Sequence, residues 1–363
     1  MKILLFTLEY PPFLGGVANY YGNIVKYWPE QGDIVVLDNN EDKLIYKGWL
    51  RWLPSFFALN KKVKKEKIDH ILVGHILPLG TVAYFYSKLT KTPYSVFLHG
   101  MDLNYALKTG RKKKIAKKIL NNAKHVICAN GYVAKNAESV VDDKDKIIIV
   151  NPGVESRITQ NAQRITQIKE EHGLHNKFIL LSIGRLVKRK GFDKVIESLS
   201  EVLKIFPNSV YVIIGKGDDE GYLKDKAKDL PKDAIVFLGS VPEEEKWAWL
   251  NICDAFVMPA RDMDGDAEGF GIVYLEANLC GKPVIAGDSG GVRDAVRHEL
   301  NGLLVNPENS KEISDAIMRL WINKNFRMKL GKHGRERVLK EFGWNEKVGE
   351  IYDVLMQNVN IKV

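Results

Sequence analysis

Short apolar runs rich in valine, isoleucine and leucine alternate with amphipathic stretches along most of this 363-residue chain. No other feature restricts its fold as strongly. In the first half the runs are KILLFT (2–7), DIVVLD (33–38), HILV (70–73), YSVFL (94–98), HVICA (125–129) and KIIIV (146–150). In the second they are FILLSIG (178–184), VYVIIG (210–215), IVFLG (235–239), DAFVMP (254–259), PVIAG (283–287) and LLV (303–305). They are continuously apolar, as strands covered on both faces must be, and this favours parallel sheets sandwiched by helices. The length suits two domains of ordinary size. The economical reading is α/β, with two doubly wound, Rossmann-like domains at 1–165 and 166–343. The polar stretch ESRITQNAQRITQIKEEHG (155–173) reads as a linker between them, and 310–342 reads as helical. An amphipathic segment, WNEKVGEIYDVLMQ (344–357), opens a C-terminal piece, 344–363.

Composition narrows the function classes. The apolar fraction of 45% describes a globular chain, and no stretch approaches the ~20 apolar residues of a spanning helix. MKILLFTLEYPP reads as a first buried strand and not an export signal, because Glu9 and two prolines follow a short apolar run. Cys128, Cys253 and Cys280 are scattered in apolar surroundings, so we expect reduced core residues of a cytoplasmic protein. The net charge of +9 is concentrated in the first half, which should therefore face something anionic.

In doubly wound sheets, ligands bind beyond the carboxyl ends of strands, and several runs end in residues suited to an anion. The first is followed by GGV (15–17). Glycine at a helix start, Gly16 here, lets amides approach a phosphate, although a plain strand-to-helix turn would look the same. FILLSIG leads into GRLVKRKGFD, which crowds Arg185, Lys188, Arg189 and Lys190 at a strand mouth. Arg185 by its fork and Lys190 as a point charge could grip a diphosphate, and a solvated loop is the alternative. VYVIIGKGDDEG has glycines at 215, 217 and 221, one residue off the dinucleotide fingerprint. Gly215 is better read as lining a nucleotide pocket. The loop ARDMDGDAEGFG carries Asp262, Asp264, Asp266 and Glu268, but Ala267 and Val273 stand where a calcium loop needs glycine and glutamate. We expect no metal there.

The stretch EGFGIVYLE (268–276) sets two glutamates around a Gly-x-Gly turn. A helix beginning near Phe270 would point the amides of Phe270, Gly271 and Ile272 at an anion. Glu268 and Glu276 should not face phosphate, since like charges repel. They suit hydroxyl groups on either side of it. An ordinary amphipathic helix with a first-turn acid is the plain alternative.

Taken together, GGV, FLHG (97–100), NPGVE (151–155), GRLVKRKG, EGFGIVYLEA and GKPVIAGDSGGVRDAV (281–296) make the chain resemble the retaining GT-B glycosyltransferases of family 4. The resemblance covers nearly the whole chain, and EGFGIVYLEA matches the E-x-F-G-x-x-x-x-E element. It implies two Rossmann-like domains facing a central cleft, with a last helix crossing back onto the first. It further implies that Arg185 and Lys190 bind the donor diphosphate, that Glu276 holds the ribose hydroxyls, and that Glu268 contacts the transferred sugar. Gly269 and the amides of Phe270 to Ile272 would complete that site. Gly16 would sit against the phosphate, and His99 would lie near the reacting sugar. The reaction implied passes a sugar from a nucleoside diphosphate to an acceptor hydroxyl, without cofactor or metal. The wording around EGFGIVYLEA is most similar to bacterial mannosyltransferases that use GDP-mannose on lipid-linked acceptors, which places the chain in envelope or polysaccharide synthesis.

Two other readings stand beside it. Non-hydrolysing sugar-nucleotide 2-epimerases share the architecture. A non-catalytic reading starts from YKGWLRWLPSFFALNKKVKKEK (46–67) and KTGRKKKIAKKILNN (108–122), where Trp49, Trp52, Phe56 and Phe57 adjoin lysines. Such segments suit an anionic membrane or nucleic acid. No nucleic-acid motif accompanies them, so a peripheral site on the inner membrane face is the expectation, with solvated helix faces as the alternative.

Overall fold

The computed structural model describes residues 1–13, 15–45, 52–155, 162–263 and 265–357. Trp49, Asp264 and part of the expected linker lie outside the described residues. Every apolar run forms a strand: β1 Ile3–Phe6, β2 Ile34–Leu37, β3 His70–Val73, β4 Tyr94–Leu98, β5 Val126–Cys128 and β6 Ile147–Ile149. The second set is β7 Phe178–Ile183, β8 Ser209–Ile214, β9 Ile235–Gly239, β10 Ala255–Met258, β11 Val284–Gly287 and β12 Gly302–Val305. They build two six-stranded sheets, ordered β2-β1-β3-β4-β5-β6 and β12-β11-β10-β7-β8-β9, and every pairing is parallel.

The strand order reverses beside the first strand of each sheet. These reversals, between β1 and β3 and between β7 and β10, are where helices diverge to opposite faces and leave a crevice. The loops after β1, β7 and β10 carry GGV, GRLVKRKG and the acidic run into EGFG. Topology thus places these motifs at the two switch points.

The chain divides into Met1–Gly153 with the residues from Trp344, and Val154–Gly343. The first unit buries β1 on both faces: Leu4 and Phe6 join one apolar cluster, while Ile3 and Leu5 join another with Tyr20, Tyr21, Ile24 and Trp28. This explains why its strands read as continuous apolar runs and not as alternating ones. Trp344, Val348, Ile351 and Leu355 fall on one side of the helix Trp344–Met356 and complete the second cluster. Full burial contributes about 1.5–3 kcal/mol for each of the three aliphatic residues. The second unit holds its own core around β7, β8, β10 and β11.

Two boundary expectations need correction. The division falls after Gly153, ahead of the boundary expected at 165. The polar stretch is not all linker: Ala162–Glu171 is a helix of the second unit, with Ile168 fully buried in its core. Its polarity reflects one exposed helical face, which composition alone cannot distinguish from a tether. The stretch 310–342 is helical as expected and consists of two helices, Ser310–Ile322 and Lys324–Glu341. Asn323 separates them because its side chain accepts from the Phe326 amide at 2.9 Å and caps the second.

Candidate active site

In the second unit, β7 delivers a short turn, Lys188–Lys190, and β10 delivers the acidic loop. Lys190 Nζ lies 2.6 Å and Arg189 Nη1 2.7 Å from Glu268 Oε2. Arg189 Nε also faces Asp266 Oδ1 at 3.3 Å. Both close contacts to Glu268 fall on one oxygen, and Oε1 takes no hydrogen bond from a described residue. Burial pushes the Glu268 carboxyl up, but the Lys190 and Arg189 charges outweigh it and hold it below its ordinary value. Glu268 is therefore a buried, ionised carboxylate with one oxygen uncommitted. From the next loop, the Gly291 amide donates to its carbonyl at 3.0 Å, fixing the backbone there.

Arg185 is exposed and forms no ion pair among the described residues, whereas Lys190 is committed to Glu268. The two expected diphosphate ligands thus start from different states, one free and one already neutralised.

The helix Ile272–Leu279 begins two residues later than expected, with Gly271 as its N-cap at φ 79. Gly271 is left-handed, and a Cβ there would meet the Tyr274 ring at 2.4 Å. This turn delays the helix, so the Phe270 amide is not part of it. The Phe270 side chain is buried beside Phe342. Tyr274 anchors the turn from below through its hydroxyl, which donates to the Met258 carbonyl at 2.7 Å.

Glu276 sits on the second turn and meets Lys246 Nζ through Oε1 at 2.8 Å. Lys246 also reaches Glu243 at 2.8 Å. Burial pushes the Lys246 ammonium down, but Glu276 and Glu243 outweigh it and raise its pKa. Gly215, expected in a nucleotide pocket, has a packing duty: a Cβ there would lie 1.9 Å from the Gly184 carbonyl oxygen. It lets the ends of β7 and β8 close together.

The described carboxylates of the acidic loop lie on cations and amides. Asp266 and Glu268 meet Arg189, and Asp262 accepts from the Gly265 amide at 2.7 Å. Among the described residues no group of three or more His, Cys, Asp or Glu is placed to hold a metal ion.

In the first unit, Gly16 opens the helix Gly16–Lys26, is exposed, and has open space where a Cβ would stand. His99 follows β4. Asp102 Oδ1 accepts from the His99 and Gly100 amides at 3.0 and 2.9 Å and fixes that turn. His99 Nε2 lies 2.7 Å from the Tyr21 hydroxyl, and the Tyr20 ring stands edge-on to the imidazole. Burial lowers the His99 pKa to about 4, against a smaller opposing pull from Asp102, so the ring is neutral at pH 7. Nearby, His75 Nδ1 accepts from the Leu8 amide and Nε2 faces Glu9 Oε1, each at 3.4 Å.

The sequence reading did not single out Lys246, Tyr21, Asp102, Glu9 or His75. Tyr21 lies five residues beyond Gly16 on the same helix, and nothing in its position marked it. Lys246 had no signal either, because its partner is 30 positions away in sequence.

Comparison with known proteins agrees with this architecture. Residues 14–157 match the family described as Glycosyltransferase Family 4, and 164–337 match Glycosyl transferases group 1. The chain is 26% identical to the GDP-mannose-dependent monoacylated alpha-(1-6)-phosphatidylinositol monomannoside mannosyltransferase of Corynebacterium glutamicum, over 98% of each chain. It is 25% identical to the GDP-mannose-dependent alpha-(1-6)-phosphatidylinositol monomannoside mannosyltransferase of Mycobacterium tuberculosis, again over 98% of each. Anabaena HepE, crystallised with UDP, shares the fold with a TM-score of 0.81 at 19% identity, covering 98% of this chain and 100% of that one. With a family 4 region followed by a group 1 region on two parallel-sheet units, the chain belongs to the GT-B glycosyltransferases.

Proposed function

We propose that the chain is a retaining, metal-independent hexosyltransferase that moves mannose from GDP-mannose to a hydroxyl of a lipid-linked or glycan acceptor. One observation carries the reading. Glu268 is buried, ionised and half-committed at the carboxyl ends of β7 and β10, beside a Gly-x-Gly turn that opens a helix. A carboxylate with one open oxygen, ringed by cations, suits a sugar hydroxyl next to a diphosphate. GDP-mannose is favoured because the Corynebacterium and Mycobacterium relatives carry that donor in their names.

In the proposed reaction, the bond from the anomeric carbon to the diphosphate oxygen breaks and its electron pair leaves with the phosphate. The acceptor oxygen bonds to the same face of that carbon. Its proton passes to the departing diphosphate, so no separate base is required. Arg185, Lys190 and the amides at the start of Ile272–Leu279 offset the developing charge. Glu276, held by Lys246, accepts from the ribose hydroxyls.

The enzyme works as a peripheral protein on an anionic membrane, at the cytoplasmic face. On Leu53–Glu66, Leu53 and Phe57 are exposed together with Lys61, Lys64 and Lys65. On the neighbouring Leu79–Thr90, Phe85 and Leu89 are exposed as well. Apolar side chains among lysines fit an acyl–headgroup boundary. No helix among the described residues is long and apolar enough to cross a membrane.

The test is calorimetric titration with GDP, UDP and ADP, followed by donor consumption and the anomeric configuration of the product by NMR. GDP selectivity, retained configuration and activity unaffected by EDTA are expected. Inversion, or silence in EDTA restored by manganese, would overturn the mechanism.

A further inference from the structure

Arg261 stands three residues beyond β10 and is only 6% exposed, although it carries a guanidinium. Its Nη2 donates to both carboxylate oxygens of Asp193, at 3.1 and 3.0 Å, and Asp193 is buried to the same degree. Nε is sealed from solvent with no hydrogen-bond partner among the described residues, so the guanidinium is held by its far end. There Nη1 reaches only the exposed Glu308, at 3.4 Å. Desolvating two charges costs so much that apolar side chains of similar volume often pack in their place without loss. Stability alone is thus a poor account of this pair, and its place in the chain is a better one.

Asp193 is the second residue of the helix Phe192–Ile205, which follows the Lys188–Lys190 turn directly. Arg261 is at the root of the acidic loop that ends in Glu268. The pair therefore ties together the two segments whose tips meet as Lys190 on Glu268 at 2.6 Å and Arg189 on Glu268 at 2.7 Å. Two backbone contacts lie in the same seam. The Arg261 amide donates to the Arg189 carbonyl at 2.8 Å, and a Cβ on left-handed Gly191 would stand 2.1 Å from the Pro259 carbonyl oxygen. These contacts set how closely the turn lies on the strand exit. The guanidinium on Asp193 adds an anchor on the helix side, and so fixes the angle at which the turn presents its cations.

We propose that Arg261 is a positioning residue. Through Asp193 it holds the Lys188–Lys190 turn at the angle that sets Lys190 and Arg189 on one oxygen of Glu268 and leaves the other open. The consequence for turnover rests on the glycosyl-transfer reading, in which Lys190 and Glu268 serve neighbouring parts of one donor. A group that must meet a reacting centre loses much of its effect when its support slips by about 1 Å.

The test uses the full chain and separates position from stability. Arg261→Met leaves the Asp193 charge buried alone, so its melting temperature should fall. Adding Asp193→Asn removes both charges and should recover most of that loss. Position should not recover with it. In the double variant, the Glu268 carboxyl, followed by carbon-13 NMR, should titrate closer to its ordinary value than in the parent, where Lys190 and Arg189 hold it low. With GDP-mannose, kcat should stay about 10- to 100-fold below the parent while KM moves far less, since Arg261 touches no donor atom in this reading. Parental titration of Glu268 in the double variant overturns the proposal, and so does a kcat that returns together with the melting temperature. Should the double variant not fold, Asp193→Asn alone decides by the same titration, because its amide keeps one acceptor for Nη2. If the parent consumes no nucleotide sugar, the glycosyl-transfer reading fails, while the Glu268 titration still decides whether Arg261 sets the turn.

Discussion

Lys246 and Glu276 form a largely buried ion pair, Nζ to Oε1 2.8 Å, that ties the helix Glu243–Ile252 to the helix opened by the Gly-x-Gly turn. Their side chains are only 16% and 14% exposed, so solvent screens the pair poorly. Removing one partner leaves the other charge buried. Lys246→Met should lower stability by about 1–3 kcal/mol, and adding Glu276→Gln should recover part of that loss. Thermal unfolding of both single variants and the double variant checks this. Strictly additive losses would mean that the pair does not couple the two helices.

Arg185 and Lys190 should separate binding from stability. Each change to alanine is expected to weaken nucleoside diphosphate binding by about 2–4 kcal/mol, with much less effect on the bare nucleoside. Only Lys190→Ala should also lower the melting temperature, because Lys190 neutralises buried Glu268 while Arg185 is exposed and unpaired among the described residues. Equal losses for nucleoside and diphosphate would remove both from the diphosphate role.

Membrane docking is checked with Lys61, Lys62, Lys64 and Lys65 changed to glutamine. Near-surface lysines contribute about 1 kcal/mol each on anionic lipid, so the variant should no longer sediment with phosphatidylserine vesicles. Lys62 is the weakest of the four, since it already lies 3.9 Å from Glu66. Sedimentation unchanged by the substitutions, or absent in the parent, would end this reading.

What the sequence made legible follows from what is local. Each strand was visible because burial on both faces demands an unbroken apolar run, as Ile3, Leu4, Leu5 and Phe6 illustrate. The motifs at the ends of β1, β7 and β10 were visible because glycines and charges there interrupt apolar segments. What stayed hidden was pairing. Nothing in GRLVKRKG says that Lys190 and Arg189 turn onto Glu268, and Glu276 gives no hint of Lys246. The late start of Ile272–Leu279 depends on the Tyr274 ring filling the space beside Gly271, a tertiary contact that periodicity does not encode.

Acid should weaken the first unit before carboxylates are involved. Burial lowers the His70 pKa to about 3, helped by Lys124 and His125, and lowers that of His99 to about 4. Both groups bind protons more readily when unfolded. Their contribution is complete above the ordinary histidine value near 6.5 and is lost as pH falls toward the folded values. For His70, buried against Ser95, the whole loss is at most about 5 kcal/mol. His70→Gln keeps a neutral partner for Ser95, so its melting temperature should fall less steeply between pH 6.5 and 4. Parallel pH profiles for parent and variant would show that His70 does not drive the acid sensitivity.

Glu268 and Glu276 should fail in different ways. Glu276→Gln removes the carboxylate proposed to hold the ribose hydroxyls, so free GDP should bind more weakly, by roughly 10- to 150-fold for a charge-assisted bond of ~1.5–3 kcal/mol. Glu268→Gln removes an anion that occupies Lys190 and Arg189 at 2.6 and 2.7 Å. Lys190 becomes free to face phosphate and Arg189 keeps only Asp266, so GDP should bind no more weakly than to the parent. Transfer should nevertheless fall by a similar factor, because the partner proposed for Glu268 is a hydroxyl present only in the intact donor. The acid response supplies a second readout. Folding holds the Glu268 carboxyl below its ordinary value, so its stabilisation is present above pH ~4.5 and fades as pH falls through the lowered pKa. The glutamine variant should lack that part of the decline. The deciding measurement is GDP affinity beside turnover in both variants. If Glu268→Gln loses GDP affinity as severely as Glu276→Gln, its carboxylate serves the nucleotide site as a whole and not the sugar.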